Sequence, residues 1–302
     1  ESRAGMSIHK AAFERLFNEL SAKGKDGAKL AVISDFDETE VVISLTSHPG
    51  RMACIHTCLE SLIKQDYRNR KIILWLSLEQ FVHKEKDLPA ALLNLNGQNA
   101  FEIRWVADDI KPHKKYYYAY QEFRKTPIIV VDDDVVYDPS MVRALVASYK
   151  KHPHCISCHR ANLMLLRADK TFRAYQTWPM GYTLLSDTPS YQLLPTGVGG
   201  VLYPPNSLPE YTFNTDVIKR YCLLCDDLWL KMMTVLNEYP TVVVKNHRPY
   251  KLIDGSQDVA LWKENVKGSN NDITLHAICE YIYKSIPQGS VCMERIRKDR
   301  FC

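Results

Sequence analysis

From residue 41 to residue 158, short apolar runs alternate with stretches whose apolar residues recur every three or four positions. Residues 41–45, 72–76, 101–106, 127–131 and 155–158 read as strands, and several are apolar at nearly every position, as strands covered on both faces are. Residues 52–64 place Cys54, Ile55, Cys58, Leu59 and Leu62 on one helical face. Residues 88–95, 114–123 and 139–150 also read as helices, the last with Pro139 at its start. Strands alternating with helices build βαβ units, which predicts an α/β fold around a mostly parallel sheet. Sheets of this kind bind ligands beyond the carboxyl ends of their strands.

The pattern changes past residue 160. A Pro-, Gly- and Tyr-rich stretch, 175–211, contains Thr196-Gly197-Val198-Gly199-Gly200. A helix over 227–236, a strand over 241–244 and a last helix over 272–283 follow. Ahead of the alternating region, 1–5 reads as an expression scar before Met6, 8–20 as an amphipathic helix, and 22–28 as a flexible Lys/Gly stretch. The expected organisation is a lead-in over 1–39, then one continuous domain with a nucleotide-binding half, 40–160, and a substrate-shaping half, 161–302.

Composition narrows the class. A chain of 302 residues, 46% hydrophobic and 25% charged, is ordinary globular usage. No run approaches the roughly 18 apolar residues of a membrane span. A net charge of +4 without clustering gives no footprint for nucleic acid. Nine cysteines, an odd number, with no signal-like opening, favour a reduced, cytoplasmic setting. Cys155/Cys158 and Cys222/Cys225 have CxxC spacing, but the gap between the pairs is far too long for a zinc ribbon. Buried thiols are the simpler reading.

The window 127–137 carries the most chemistry. Apolar Ile128-Ile129-Val130-Val131 delivers Asp132, Asp133 and Asp134 at a strand end. Three adjacent carboxylates repel one another, and a hard cation such as Mg²⁺ or Mn²⁺ would offset that. In an extended chain Asp132 and Asp134 point the same way and share a metal. The plainer alternative is an acidic turn, with Asp138 capping the helix that starts at Pro139. A second acidic pair, Asp226-Asp227, heads the helix that follows it. One cap needs one acid, so the other is available as a general base.

In their order along the chain these segments resemble bacterial nucleotide-sugar glycosyltransferases of the type A (GT-A) fold, similar to the sugar transferases of capsule and lipopolysaccharide synthesis. Residues 42–51 (VISLTSHPGR) resemble that family's first strand and donor loop, 108–115 (DDIKPHKK) its segment ahead of the metal motif, and 129–137 its DxD element. Residues 197–208 resemble the acceptor-side loop and 225–230 the acidic pair. The resemblance covers about residues 40–285 and implies a Rossmann-like sheet with helices on both faces and a mixed acceptor half. It implies that Thr46, Ser47, Arg51, Asp109, Lys115, Asp132 and Asp133 bind the donor, with UDP favoured. Asp132 and Asp134, joined by His247 with His276 as the runner-up, would hold Mn²⁺ or Mg²⁺. Asp227, beside Asp226, would be the base of an inverting transfer, and Trp178, Gly199 and Gly200 would meet an oligosaccharide or lipid-linked acceptor. Tyr182 belongs to the same closing loop. Lys114 and Lys115 are equally compatible with a solvated helix face.

Two rivals stand beside this. Leu30 to Thr39, with Asp35 and Asp37, resembles the first motif of haloacid-dehalogenase-type phosphatases, whose later Mg²⁺ pair Asp226-Asp227 would imitate. The strand at Val41 leaves no room for the helix that family needs. A non-catalytic sugar-binding module on the same fold is the other. The basic tail, 295–300, is either a solvated terminus or a contact with an anionic membrane at its inner face.

Overall fold

The computed structural model describes residues 39–98, 100–256 and 270–299. Asp35, Asp37 and the expected helix over 8–20 lie outside the described residues, as does Arg300. The described part of Glu40–Cys302 is one compact unit.

Its frame is a seven-stranded sheet. In chain order the strands are β1 (Val41–Thr46), β2 (Arg70–Ser77), β3 (Phe101–Val106), β4 (Ile128–Val130), β6 (Ile156–Cys158), β9 (Val201–Tyr203) and β10 (Thr241–Val243). Their spatial order is β10-β6-β9-β4-β1-β2-β3. β9 runs antiparallel to both neighbours, β4 and β6, and every other pairing is parallel. The expected mostly parallel α/β sheet is what forms. The antiparallel strand was not foreseen: three residues between Gly199-Gly200 and Pro204-Pro205 are too few to show a period.

Helices cover both faces. Along β4, Ile128 and Val130 join one apolar cluster, and Ile129 and Val131 the other. The second cluster is roofed by α1 (Ile55–Ile63), α2 (Ala90–Leu93) and α4 (Met141–Lys151). On α1, Ile55, Cys58, Leu59 and Leu62 are buried, the helical spacing read from the sequence. Each such Leu or Ile stabilises the fold by roughly 1.5–3 kcal/mol. The first cluster is roofed by α3 (Lys114–Glu122), α5 (Thr215–Tyr221), α6 (Asp226–Leu236), α7 (Asn270–Ser285) and α8 (Gly289–Lys298). α6 is buried on nearly every side because α7 and α8 pack outside it, which suits its apolar sequence.

α8 corrects the reading of the tail. Cys292 and Ile296 are buried, and the Arg295 guanidinium donates to the carbonyls of Val235 and Leu236 in the last turn of α6. Arg297 donates to Lys170 O, and the exposed Lys298 pairs with Glu294 one turn before it. No helix among the described residues is long and apolar enough to cross a membrane.

Two short antiparallel pairs complete the chain: β5 (Val135–Tyr137) with β11 (Tyr250–Leu252), and β7 (Ala161–Leu163) with β8 (Leu193–Pro195). β5 follows the acidic triplet directly, in the stretch the sequence reading left between the strand over 127–131 and the helix over 139–150. Asp138 accepts from the backbone N–H and hydroxyl of Ser140, making a turn ahead of α4 instead of capping it.

Candidate active site

From β1 the chain builds β2 and β3 to one side, then crosses to place β4 on the other. The carboxyl ends of β1 and β4 therefore flank the crevice where the strand order reverses, the place open α/β sheets bind ligands. A cavity of about 370 Å³ lies there. Thr46, Ser47, His48 and Arg51 line it from the end of β1, and Val131 to Asp134 from the end of β4. Lys111, Pro112, Lys114 and Lys115 line it from the start of α3, Leu224, Asp226 and Asp227 from the start of α6, and Gln80 from beyond β2.

The acidic triplet bends instead of running extended. Asp132 turns to Lys115 Nζ at 2.7 Å, whereas Asp134 turns to Arg51 at 2.8 Å, with Asp133 3.5 Å from the same guanidinium. Asp132 and Asp134 thus each pair with a different cation. Ser47 Oγ donates to Asp133 at 2.5 Å, tying the β1 loop to the β4 loop. Thr46 Oγ1 donates to Trp75 O at 2.8 Å.

Lys115 joins the two acidic groups. Its buried ammonium also lies 2.9 Å from Asp226. Its carbonyl accepts from the Ser44 hydroxyl, which in turn accepts from Trp75 Nε1 at 2.9 Å, so the lysine is anchored on β1 and β2. Asp226 and Asp227 occupy the first turn of α6, and neither caps it: the N-cap is Cys225, which makes no side-chain cap bond. Asp227 accepts from Gly197 N–H at 3.2 Å.

Burial and charge sort these carboxyls. Burial, then the neighbouring Asp226, push Asp227 up to about 8. Burial also raises Asp133 to about 6 against the pull of Arg51, and raises Asp132 against the pull of Lys115. Asp226 goes the other way: burial opposes its ionisation, but Lys115 and His113 outweigh it and hold it below the usual carboxylate range. Adjacent acids thus differ in character, one held ionised and one close to neutral pH.

Other expected positions fall elsewhere. Asp109 does not line the cavity; it lies behind it, paired with Lys111 at 2.5 Å and with Lys114. Lys114 is 2% exposed, so it is no solvated face residue, and the same holds for Lys115. His247 is exposed and outside the cavity lining, and His276 is exposed on α7. Trp178 is buried behind Tyr175, ring centroids 4.9 Å apart, with Nε1 donating to Arg173 O. Tyr182 packs on the first apolar cluster. Gly199 is pressed against the backbone of Arg160, and Gly200 takes φ +83° beside Met141. The glycine of this loop that meets the acids is Gly197, which the sequence reading placed in the acceptor-side loop but did not single out beside Gly199 and Gly200. The described CxxC cysteines are free thiols whose pKa values burial raises.

Asp132, Asp133, Asp134, Asp226 and Asp227 surround two buried cations, Arg51 and Lys115. The fold neutralises only part of this charge, and surplus hard oxygen donors fit Mg²⁺ or Mn²⁺. Among the described residues no three His, Cys, Asp or Glu side chains form a ready ligand set. The protein would therefore supply one or two carboxylates, and a phosphate-bearing ligand the remainder.

No family model and no curated protein matches the chain. Solved structures similar to it include S. aureus TarS 1–349 in complex with UDP, at 13% identity over 85% of this chain and 69% of that chain, TM-score 0.46. Another is the mannosyltransferase PcManGT from Pyrobaculum calidifontis in complex with GDP-Man and Mn²⁺, at 13% identity over 85% and 75%, TM-score 0.47. The UTP-bound UGPase of Acinetobacter baumannii overlaps at 9% identity over 86% and 99%, TM-score 0.41. Likeness of this depth leaves the chemistry to the residues of the site.

Proposed function

We propose that the chain is a glycosyltransferase of the type A fold, moving a sugar from a nucleotide donor, a UDP-sugar by preference, to a glycan hydroxyl with inversion. The observation that carries this reading is Lys115. One buried ammonium ties Asp132 at the end of β4 to Asp226 at the start of α6. The acid-rich station suited to a departing diphosphate and the carboxyl suited to a base then share one cavity, of a size that takes a small ligand.

Each residue has a task. Arg51, Lys111 and Lys114 line the cavity and meet diphosphate charge. Asp227, with a pKa near 8, takes the proton of the acceptor hydroxyl as its oxygen bonds the anomeric carbon and the bond to the diphosphate oxygen breaks. The Gly197 N–H orients that carboxylate. Lys115 keeps Asp226 ionised, and the Asp226 charge helps keep the Asp227 proton affinity high. A divalent cation held by Asp134 and Asp132 together with the diphosphate would act as a Lewis acid on the leaving group. A place in capsule or lipopolysaccharide synthesis at the inner membrane face rests on the sequence resemblance alone.

The test is nucleoside-diphosphate release from UDP-, GDP- and dTDP-sugars, with Mn²⁺ or with EDTA, for wild type and Asp134→Ala. Slow release from one donor, lost with EDTA and in the variant, is expected. No release and no binding from any donor would overturn the reading.

A further inference from the structure

Arg160 stands just past the end of β6, against the loop that carries Gly197, and does not join the cavity lining. Its backbone is fixed: Arg160 O accepts from Thr196 N–H at 3.1 Å, and Gly199 passes so close that a Cβ there would be 2.9 Å from Arg160 Cβ. Its side chain is fixed as well, with Nη1 donating to Thr196 Oγ1 at 2.9 Å. Thr196 adjoins Gly197, whose N–H holds Asp227. The guanidinium and the candidate base are therefore mounted on consecutive residues of one loop.

The surroundings extend this wall. Asn162 Nδ2 donates to Tyr175 Oη at 3.3 Å, and Asn162 Oδ1 accepts from Gly181 N–H, whose residue lies against Arg160 Nε. The Tyr175 phenol feels both charges, raised by burial and Asp227 and lowered by Arg160. The Tyr175 backbone N–H donates to Asp272 at 2.8 Å, which places one further carboxylate beside this wall. Among the described residues Arg160 is half-buried, makes its one side-chain hydrogen bond to a neutral hydroxyl, and pairs with no carboxylate. Arg51 and Lys115, two buried cations of the cavity, each hold two acids. A planar guanidinium pinned at one nitrogen still presents further donors in a fork that matches carboxylate or phosphate.

We propose that Arg160 is the anchoring point of an acceptor subsite that takes an anionic group, a sugar carboxylate or a phosphate, beside the hydroxyl delivered to Asp227. The inference rests on the transferase reading for the word acceptor, and its anion-binding part stands apart from it. An anionic substituent docked on Arg160 would fix which hydroxyl meets Asp227, so the subsite would set regiochemistry as well as affinity.

The probes are methyl glucoside, glucuronate and glucose 6-phosphate, offered to wild type, Arg160→Gln and Arg160→Lys. Equilibrium binding is measured first, without donor. Wild type is expected to bind an anionic probe about tenfold or more tightly than methyl glucoside, as a charge-assisted hydrogen bond implies. Arg160→Gln is expected to abolish that preference. Arg160→Lys, which keeps the charge but loses the fork, is expected to retain phosphate better than carboxylate. A preference for glucuronate identifies a carboxylate subsite, and one for glucose 6-phosphate a phosphate subsite. Equal binding of neutral and anionic probes by wild type, or an unchanged preference in Arg160→Gln, overturns the proposal. Nucleotide release with each probe then reports transfer. Arg160-dependent binding without any release would sink the transferase reading and leave the anion subsite standing.

Discussion

A Cβ on Gly197 would stand 2.7 Å from Asp132 Oδ1, so the loop ahead of β9 passes the acid cluster with no room for a side chain unless the acid moves. The same Cβ would be 3.0 Å from Lys115 Nζ. Both obstacles are side-chain ends that can swing away. Gly197→Ala should therefore cost no more than about 1 kcal/mol of stability, while displaced site groups lower donor turnover at least about tenfold. Gly199→Ala should do the reverse, because the Arg160 backbone nitrogen 3.0 Å from its Cβ cannot swing; a loss of about 1–3 kcal/mol is expected. Denaturant midpoints and nucleotide release check both, and a Gly197→Ala protein with normal turnover would refute the first.

Lys115→Met should be the most damaging single change in the site. It leaves Asp132 and Asp226 buried without their shared cation, a loss of about 3–5 kcal/mol. Adding Asp226→Asn should recover part of that, with a coupling of about 1–3 kcal/mol. Strict additivity in urea unfolding would mean the two side chains do not act as a pair.

Asp227→Asn should lower transfer by about 10²–10⁴-fold yet leave the donor bound. It should also stabilise the fold in a pH-dependent way. The folded pKa of Asp227 is raised from 3.8 to about 8, so between those values the folded state holds a proton that the unfolded state has released. Wild-type stability from this group accordingly falls as pH rises from 4 to 8. The variant should melt above wild type at pH 8 and close to it at pH 4. Identical melting curves at both would contradict the raised pKa.

Lys231, fully buried in α6, has a hydroxyl partner, Thr241 Oγ1 at 3.3 Å, and burial lowers its pKa to about 7. Between about 7 and 10.5 the unfolded state holds the proton that the folded state lacks, so this group's contribution to stability rises with pH. Lys231→Met should stabilise the protein most at pH 7, the gap narrowing by on the order of 1 kcal/mol per pH unit toward pH 9. A gap that does not change with pH would mean the ammonium stays charged inside the fold.

The elements legible in the sequence are those whose burial leaves a long trace. Residues 41–45, apolar but for Ser44, and the Ile-Ile-Val-Val run before Asp132 read as buried strands because helices cover both faces of the sheet. Asp132 to Asp134 stood out because a buried strand ending in three acids has no packing rationale. What the sequence did not disclose is which cation each acid meets. Lys115 and Asp132 are 17 residues apart, and only the crossover from β3 through α3 to β4 brings them together. Lys114 and Lys115 read as well on a wet helix face as at a donor site, since a buried lysine carries no local signature. Trp178 suggested a sugar platform, yet its indole is needed to support Tyr175 from behind. α8 was hidden by its basic residues, although Cys292 and Ile296, four apart, marked its buried face.

β9, from the second half of the chain, is hydrogen-bonded on both edges to strands of the first, β4 and β6. It therefore works as a weld. The halves cannot swing apart like jaws, and the span from the end of β4 to Arg160 past the end of β6 is set by strands at about 4.8 Å spacing. Opening and closing must be done by surface segments alone, over a footing that keeps a fixed gauge between what leaves and what arrives.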